Sequence, residues 1–187
     1  MYWNARARTR LMKRTSPNLM VEKMQGKTIW LPAMMLSTVF TSASFAADES
    51  TFLQDAIQGS LAEVQMGQLA QQNGSSEDVK AFGQTLVTDH SKSMDEASAI
   101  AKSMNLEVPV EPRGEAQQDY EKLQGLKGAE FDKEFAEHMV MDHQKEIEKF
   151  EEQAQDGSAE VAQFAKQTLP VLNTHLDIAK KIEAQQK

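Results

Sequence analysis

The stretch "FGQTLVTDHSKSMDEA" at residues 82–97 reappears in similar form as "FAEHMVMDHQKEIEKF" at residues 135–150. Both stretches place Phe, Val, Asp-His and Lys in the same register. Apolar residues recur in each at intervals of three and four, which is the spacing of one buried face of an α-helix. His90 and His143 lie on these apolar faces. The sequence therefore predicts two long helices, each of which carries one histidine into the protein core.

The remaining sequence after residue 46 shows the same helical spacing. Two similar turn sequences, "NGSSEDV" at residues 73–79 and "DGSAEV" at residues 156–161, each separate two long amphipathic segments. No segment alternates between apolar and polar residues, so a β-sheet is not expected. We predict an all-α four-helix bundle built from two helical hairpins, with a short crossover helix between them. The predicted long helices cover about residues 49–73, 75–104, 129–156 and 158–185, and the short helix covers about 115–126.

The N-terminal segment has the composition of a secretory leader. An apolar run at residues 29–46 follows two lysines and ends in the small-residue sequence "SFA" at residues 44–46. A basic region, an apolar region and a small-x-small site form the pattern of a signal peptide. We therefore assign residues 1–46 as a signal peptide that is cleaved near Ala46.

Residues 47–187 form the predicted mature domain, which is long enough for one core. We expect this domain in the periplasm or another exported location. The basic stretch at residues 1–19 is long for a leader, and a translation start at Met20 or Met24 would shorten it. Because Pro32 and several polar residues interrupt the apolar run, we expect no permanent membrane span after cleavage.

Charge and cysteine content exclude several classes of function. The chain has 28 acidic and 20 basic residues, of which one acidic and seven basic residues precede Ala47, so the mature part has 27 and 13 and a net charge of −14. Such a surface repels nucleic acid and anionic membranes. The chain has no cysteine, which excludes disulfides, thiol catalysis and cysteine-based metal sites.

Three histidines lie near the centres of three predicted long helices. His90, His143 and His175 all fall on apolar faces. Glu63 lies at the edge of the apolar face of the first helix, and Glu146 lies one turn after His143. Neutral imidazole and carboxylate groups bind zinc, copper and iron, and bundle cores are places where such ligands meet. We predict a transition-metal site in which the three histidines are ligands and one of the two glutamates completes the site.

The same pattern permits a purely structural interpretation. A buried histidine can be satisfied by a neighbouring acid or carbonyl, and such a polar layer can fix the register of packed helices. The protein would then be a non-catalytic envelope or stress-related interaction module. His138 lies beside the apolar face and is predicted to face partly to solvent. The sequence has no nucleophile elbow and no glycine-rich phosphate loop, so it gives no support for catalysis.

Five short motifs are arranged in a distinctive order along residues 50–182: "LAEVQMGQLA", "VTDH", "FDKEF", "VMDH" and "TLP". Together they resemble a bacterial family of exported helical bundles that is known only as a domain of unknown function, number forty-one forty-two. This family is grouped with ferritin-like folds. The resemblance implies a ferritin-like four-helix bundle in an exported protein, without an established activity.

Kinship to ferritin-like proteins does not imply their di-iron chemistry here. Di-iron bundles carry a Glu-x-x-His pair on each of two helices. In this sequence the residues three positions before the histidines of the apolar faces are not glutamates. They are Val87 before His90, Val140 before His143 and Leu172 before His175. Only the reversed pair, His143 followed by Glu146, is present, so we do not expect ferroxidase or oxygenase activity.

Overall fold

A computed structural model describes residues 41–186 as a bundle of α-helices. Those residues contain no β-strand, and one isolated bridge joins Gly74 to Gly128. The predicted all-α class is therefore confirmed. In this part of the chain, no helix combines the length and the apolarity that crossing a membrane requires. The helices are α1 (Thr41–Asn73), α2 (Glu77–Ser103), α3 (Glu115–Gln124), α4 (Gly128–Asp156) and α5 (Ala159–Gln185).

The observed helices follow the predicted ones closely, except at the start of α1. This helix already includes Thr41, the first described residue, whereas the predicted start lies near residue 49. Residues 41–52 contain neither glycine nor proline, so no strong helix breaker precedes the core residue Leu53. The predicted cleavage site at residues 44–46 lies in the first turns of α1. Residues 1–40 of the predicted signal peptide, which include the two alternative starts, lie outside the described residues.

The four long helices form the two predicted hairpins. Helix α1 packs along α2, and α4 packs along α5; contacts between α1 and α4 and between α2 and α5 then join the hairpins. The first hairpin is tightly packed where Gly67 meets Gly83. A Cβ atom at Gly67 would lie 2.6 Å from the Gly83 carbonyl oxygen, and one at Gly83 would lie 2.5 Å from the Gly67 oxygen. Only glycine allows the two backbones to approach this closely.

An aspartate from α4 holds the turn between α1 and α2. Ser76 is the N-cap of α2, and its side chain accepts a hydrogen bond from the Val79 N–H. The buried carboxylate of Asp132 accepts hydrogen bonds from the backbone N–H groups of Ser75 and Ser76, each at 2.9 Å, and from the Ser75 hydroxyl. A negative charge at this position also stabilises the positive end of the α2 dipole.

A carboxylate also holds the turn of the second hairpin, although Ser158 makes no side-chain cap hydrogen bond. The buried Glu49 of α1 accepts a hydrogen bond from the backbone N–H of Ser158, the N-cap of α5. Glu49 and Asp132 each precede the glycine of their own hairpin turn, Gly74 or Gly157, by 25 residues. Each hairpin therefore supplies one carboxylate that caps a helix of the other hairpin, which agrees with the similar turn sequences.

Two apolar clusters fill the bundle, one toward each end. The first contains Phe82, Phe131 and Phe135, and the second contains Phe52 and Phe150. Along every long helix, the members of one cluster are followed by buried polar residues and then by the other cluster. The fold therefore places a polar layer in the middle of an apolar core.

Candidate metal centre

The polar layer contains all five residues predicted as metal ligands. Helix α1 contributes Glu63, α2 contributes His90, α4 contributes His143 and Glu146, and α5 contributes His175. Glu63 and His143 are fully buried, and His90 and His175 are 3% and 1% exposed. Glu146 is partly buried at the layer's edge. Each of these side chains lies on the inward helix face that the apolar spacing of three and four residues predicted.

The side chains of this layer are in mutual contact. Glu63 lies between two histidines, with Oε2 2.7 Å from His90 Nδ1 and Oε1 3.5 Å from His143 Nε2. His143 Nε2 is also 3.3 Å from His175 Nδ1. The three imidazole centroids are 5.3 to 5.7 Å apart. One ligand atom from each of His90, His143 and His175 lies within 4.8 Å of the others, and the same holds for Glu63, His90, His143 and Glu146.

Hydrogen bonds on the outer side of the layer set the protonation of two rings. His143 Nδ1 lies 2.9 Å from the carbonyl oxygen of Met139, which can only accept, so Nδ1 carries the proton. His175 Nε2 lies 2.9 Å from Asp89 Oδ2, so this nitrogen donates to the carboxylate. The remaining nitrogen of each neutral ring then has a lone pair that faces the centre. Metal-binding histidines are commonly oriented by a carbonyl or a carboxylate in this way.

Several polar atoms of the layer lack a hydrogen-bond partner among the described residues. They are both ring nitrogens of His90, both carboxyl oxygens of Glu63, and Oε2 of Glu146. His90 Nδ1 is close to Glu63 Oε2, but the pair lacks the alignment of a hydrogen bond. A buried polar group without a partner costs about 1–3 kcal/mol. A bound cation would satisfy one ring nitrogen of His90 and the carboxylate oxygens of Glu63 and Glu146 that face it, because these atoms are potential metal ligands.

Burial determines the favoured protonation states in the layer. Burial raises the pKa of Glu63, and the charge of Asp142 raises it further. Burial also raises the pKa of Glu146, with the nearby Glu63 as the next cause. The pKa of each of the three histidines is lowered, again mainly by burial. Neutral imidazoles are the form that binds metal, and a cation would favour release of the carboxyl protons.

The fourth histidine is outside this centre. His138 Nδ1 lies 3.8 Å from Asp119 Oδ2 of the crossover helix, and the His138 side chain is 12% exposed. His175 of α5 finds its acid partner on another helix, since Asp89 belongs to α2. The support from the Met139 carbonyl has no sequence signal, because any residue supplies a backbone oxygen.

Fold and site define a class of protein: a four-helix bundle with a buried layer of histidine and glutamate in its core. The chain belongs to the family described as Domain of unknown function (DUF4142), which matches residues 36–182. The family resemblance read from the sequence motifs is thus confirmed. No curated protein and no solved structure matches the chain.

Proposed function

We propose that this protein is an exported helical bundle that binds one transition-metal ion, of the zinc, copper or iron type, and serves as a metal-binding or metal-buffering protein. The imidazole ligands are His90, His143 and His175, and Glu63 or Glu146 completes the site. Export rests on the signal-peptide pattern of residues 1–46.

One observation carries the metal proposal. His143 Nε2 and His175 Nδ1 face each other at 3.3 Å. Their outer nitrogens donate to Met139 O and to Asp89, so neither facing nitrogen holds a proton when the rings are neutral. Two lone pairs at this distance repel each other. A cation bound by both lone pairs would replace this repulsion with two coordinate bonds. Metal binding therefore explains why the two rings face each other in this orientation.

The alternative is a polar layer that only fixes the register of the helices. Such a layer stabilises the fold when every buried polar group has a partner. The missing partners of His90, Glu63 and Glu146 argue against this alternative. Catalysis has less support than binding, because the Glu-x-x-His pairs of di-iron bundles are absent from the sequence.

Metal analysis of protein purified without a histidine tag tests the proposal directly. We expect about one ion per chain after exposure to zinc, copper or iron, followed by removal of loosely bound metal. His143→Ala should abolish this binding and leave the helical circular-dichroism spectrum largely intact. His138→Ala is the matched control: it removes a histidine of the same helix that lies outside the centre, and it should bind like the wild type.

A thermal-shift measurement gives a second, independent readout. Metal at a free concentration of 100 Kd stabilises the folded state by about 2.7 kcal/mol. The midpoint of thermal unfolding should therefore rise by several degrees, and it should fall back to the metal-free value when a chelator removes the metal. If the wild type shows no shift with any of the three metals, the layer is structural. Unchanged binding in His143→Ala would likewise rule out the proposed ligand set.

A further inference from the structure

The proposed centre borders two openings of different size. The larger opening lies between α1, α3 and α4, has a volume of about 260 Å³, and includes Glu146 in its wall. The smaller opening lies between α2 and α5, has a volume of about 80 Å³, and includes His90 and His175 in its wall. We call the larger opening the α3 cleft. A metal ion has two possible ways into the buried layer.

The α3 cleft has an excess of negative charge. Five acidic side chains line it, against one arginine and one lysine, so acids remain in excess even when the buried Glu146 is protonated. The lysine, Lys149, is already paired with Asp55 at 3.0 Å. Asp119 and Asp142 lie in the same wall, and neither has a lysine or arginine within ion-pair distance in the described residues. A concave site lined by one sign of charge raises the local concentration of the opposite ion.

Glu146 connects this cleft to the centre. It belongs to the group of ligand atoms that includes Glu63, His90 and His143, and it also lines the cleft. Its Oε2 atom is buried and has no hydrogen-bond partner among the described residues. A carboxyl group in this position can accept a cation from the cleft and pass it to the histidines.

The smaller opening lacks these properties. It contains Lys92, which is 3.8 Å from Glu96 across one helical turn. Its carboxylate nearest the centre, Asp89, is occupied by the hydrogen bond from His175. The charge there is closer to balance, and a cation would have to displace an existing contact.

We propose that the α3 cleft is the route by which a divalent cation reaches the centre, guided first by Asp119 and then by Asp142 and Glu146. This inference rests on the proposed metal binding. It assigns a function to the crossover helix α3, which supplies the outer carboxylate and one wall of the route.

Stopped-flow loading of metal-free protein with Co²⁺ tests the route, because the visible absorption of Co²⁺ reports its binding. Asp119→Lys should slow both loading and release by roughly threefold to tenfold at low ionic strength, with the same final stoichiometry. The effect should shrink as salt is added, since mobile ions screen exposed charges. Glu96→Lys is the matched control, with the same charge change at the smaller opening, and its rates should equal those of the wild type.

The outcomes separate the two proposals. If wild-type protein takes up no Co²⁺, zinc, copper or iron, the metal-binding function fails, and the route fails with it. If the wild type binds normally but Asp119→Lys loads at the wild-type rate, only the route is overturned. A loading rate that is reduced in Glu96→Lys instead would assign uptake to the smaller opening.

Discussion

Nε2 of His143 and Nδ1 of His175 face each other at 3.3 Å across the bundle core. Each ring is held by a hydrogen bond on its far side, to Met139 O in one case and to Asp89 in the other. The two helices that carry these histidines, α4 and α5, form one hairpin, whereas Asp89 belongs to the other hairpin. The centre therefore depends on the docking of the two hairpins and not on either alone.

Asp89 is expected to act as a positioning residue for His175. Asp89→Ala removes the acceptor of the Nε2 proton, so the ring can rotate or change its tautomer. We expect metal affinity to fall by about 10- to 100-fold, as is typical when such an outer partner is lost. Asp89→Asn should recover much of the affinity, because its amide oxygen can accept the same hydrogen bond. Competition with a chromophoric chelator measures both values, and equal losses in the two variants would contradict the assignment.

The stability of the metal-free protein should depend on pH through Glu63. Burial raises the pKa of this carboxyl above its ordinary value of 4.5, with Asp142 contributing further. Between pH 4.5 and the raised value, the folded state holds a proton that the unfolded state has released. The free energy of unfolding therefore falls as pH rises through this window. Glu63→Gln cannot ionise, so the variant should lack this loss.

The measurement is a series of urea unfolding curves with chelator present, for wild type and Glu63→Gln. The buried histidines have lowered pKa values, so they contribute the opposite slope: stability falls as pH drops below their unfolded pKa of about 6.5. That contribution is common to both proteins. The stability of Glu63→Gln relative to wild type should therefore increase with pH above 4.5. A difference that stays constant with pH would show that Glu63 does not titrate in this way.

Asp132 is expected to be important for the fold. Its carboxylate accepts hydrogen bonds from both Ser75 and Ser76 at the start of α2. Asp132→Ala removes the buried acceptor of these partly exposed donors and the negative charge at the start of α2, so it should lower the free energy of unfolding by about 1–2 kcal/mol. Asp95→Ala, at an exposed position of α2, should change stability by less than about 0.5 kcal/mol. Equal effects in the two variants would show that the turn does not depend on Asp132.

The mature protein is expected to begin at Ala47 or within a residue of it. The sequence "SFA" at residues 44–46 follows an apolar run and has the small residues that signal peptidase requires. N-terminal sequencing of the protein from its native cells checks this prediction. Intact leader in the soluble cytoplasmic fraction would argue against export.

Local signals in the sequence specify much of this molecule. Apolar residues at helical spacing and the two similar glycine turns predict the helices and their pairing into hairpins. The same spacing places His90, His143 and His175 on inward faces near mid-helix, where the structure brings them together with Glu63 and Glu146. These predictions succeed because helical periodicity and turn preferences depend on residues close in the chain.

Contacts between residues far apart in the sequence depend on how the two hairpins dock, and local sequence signals do not predict them. His175 meets Asp89, which is 86 residues away, and Asp132 reaches Ser75, which is 57 residues away. The α3 cleft likewise exists only because the crossover helix lies across α1 and α4. Helical spacing tells which face of a helix is buried, but a hydrogen bond depends on position to within a fraction of an ångström. That accuracy comes from the rotation and depth of each helix, which the packing of the whole core determines.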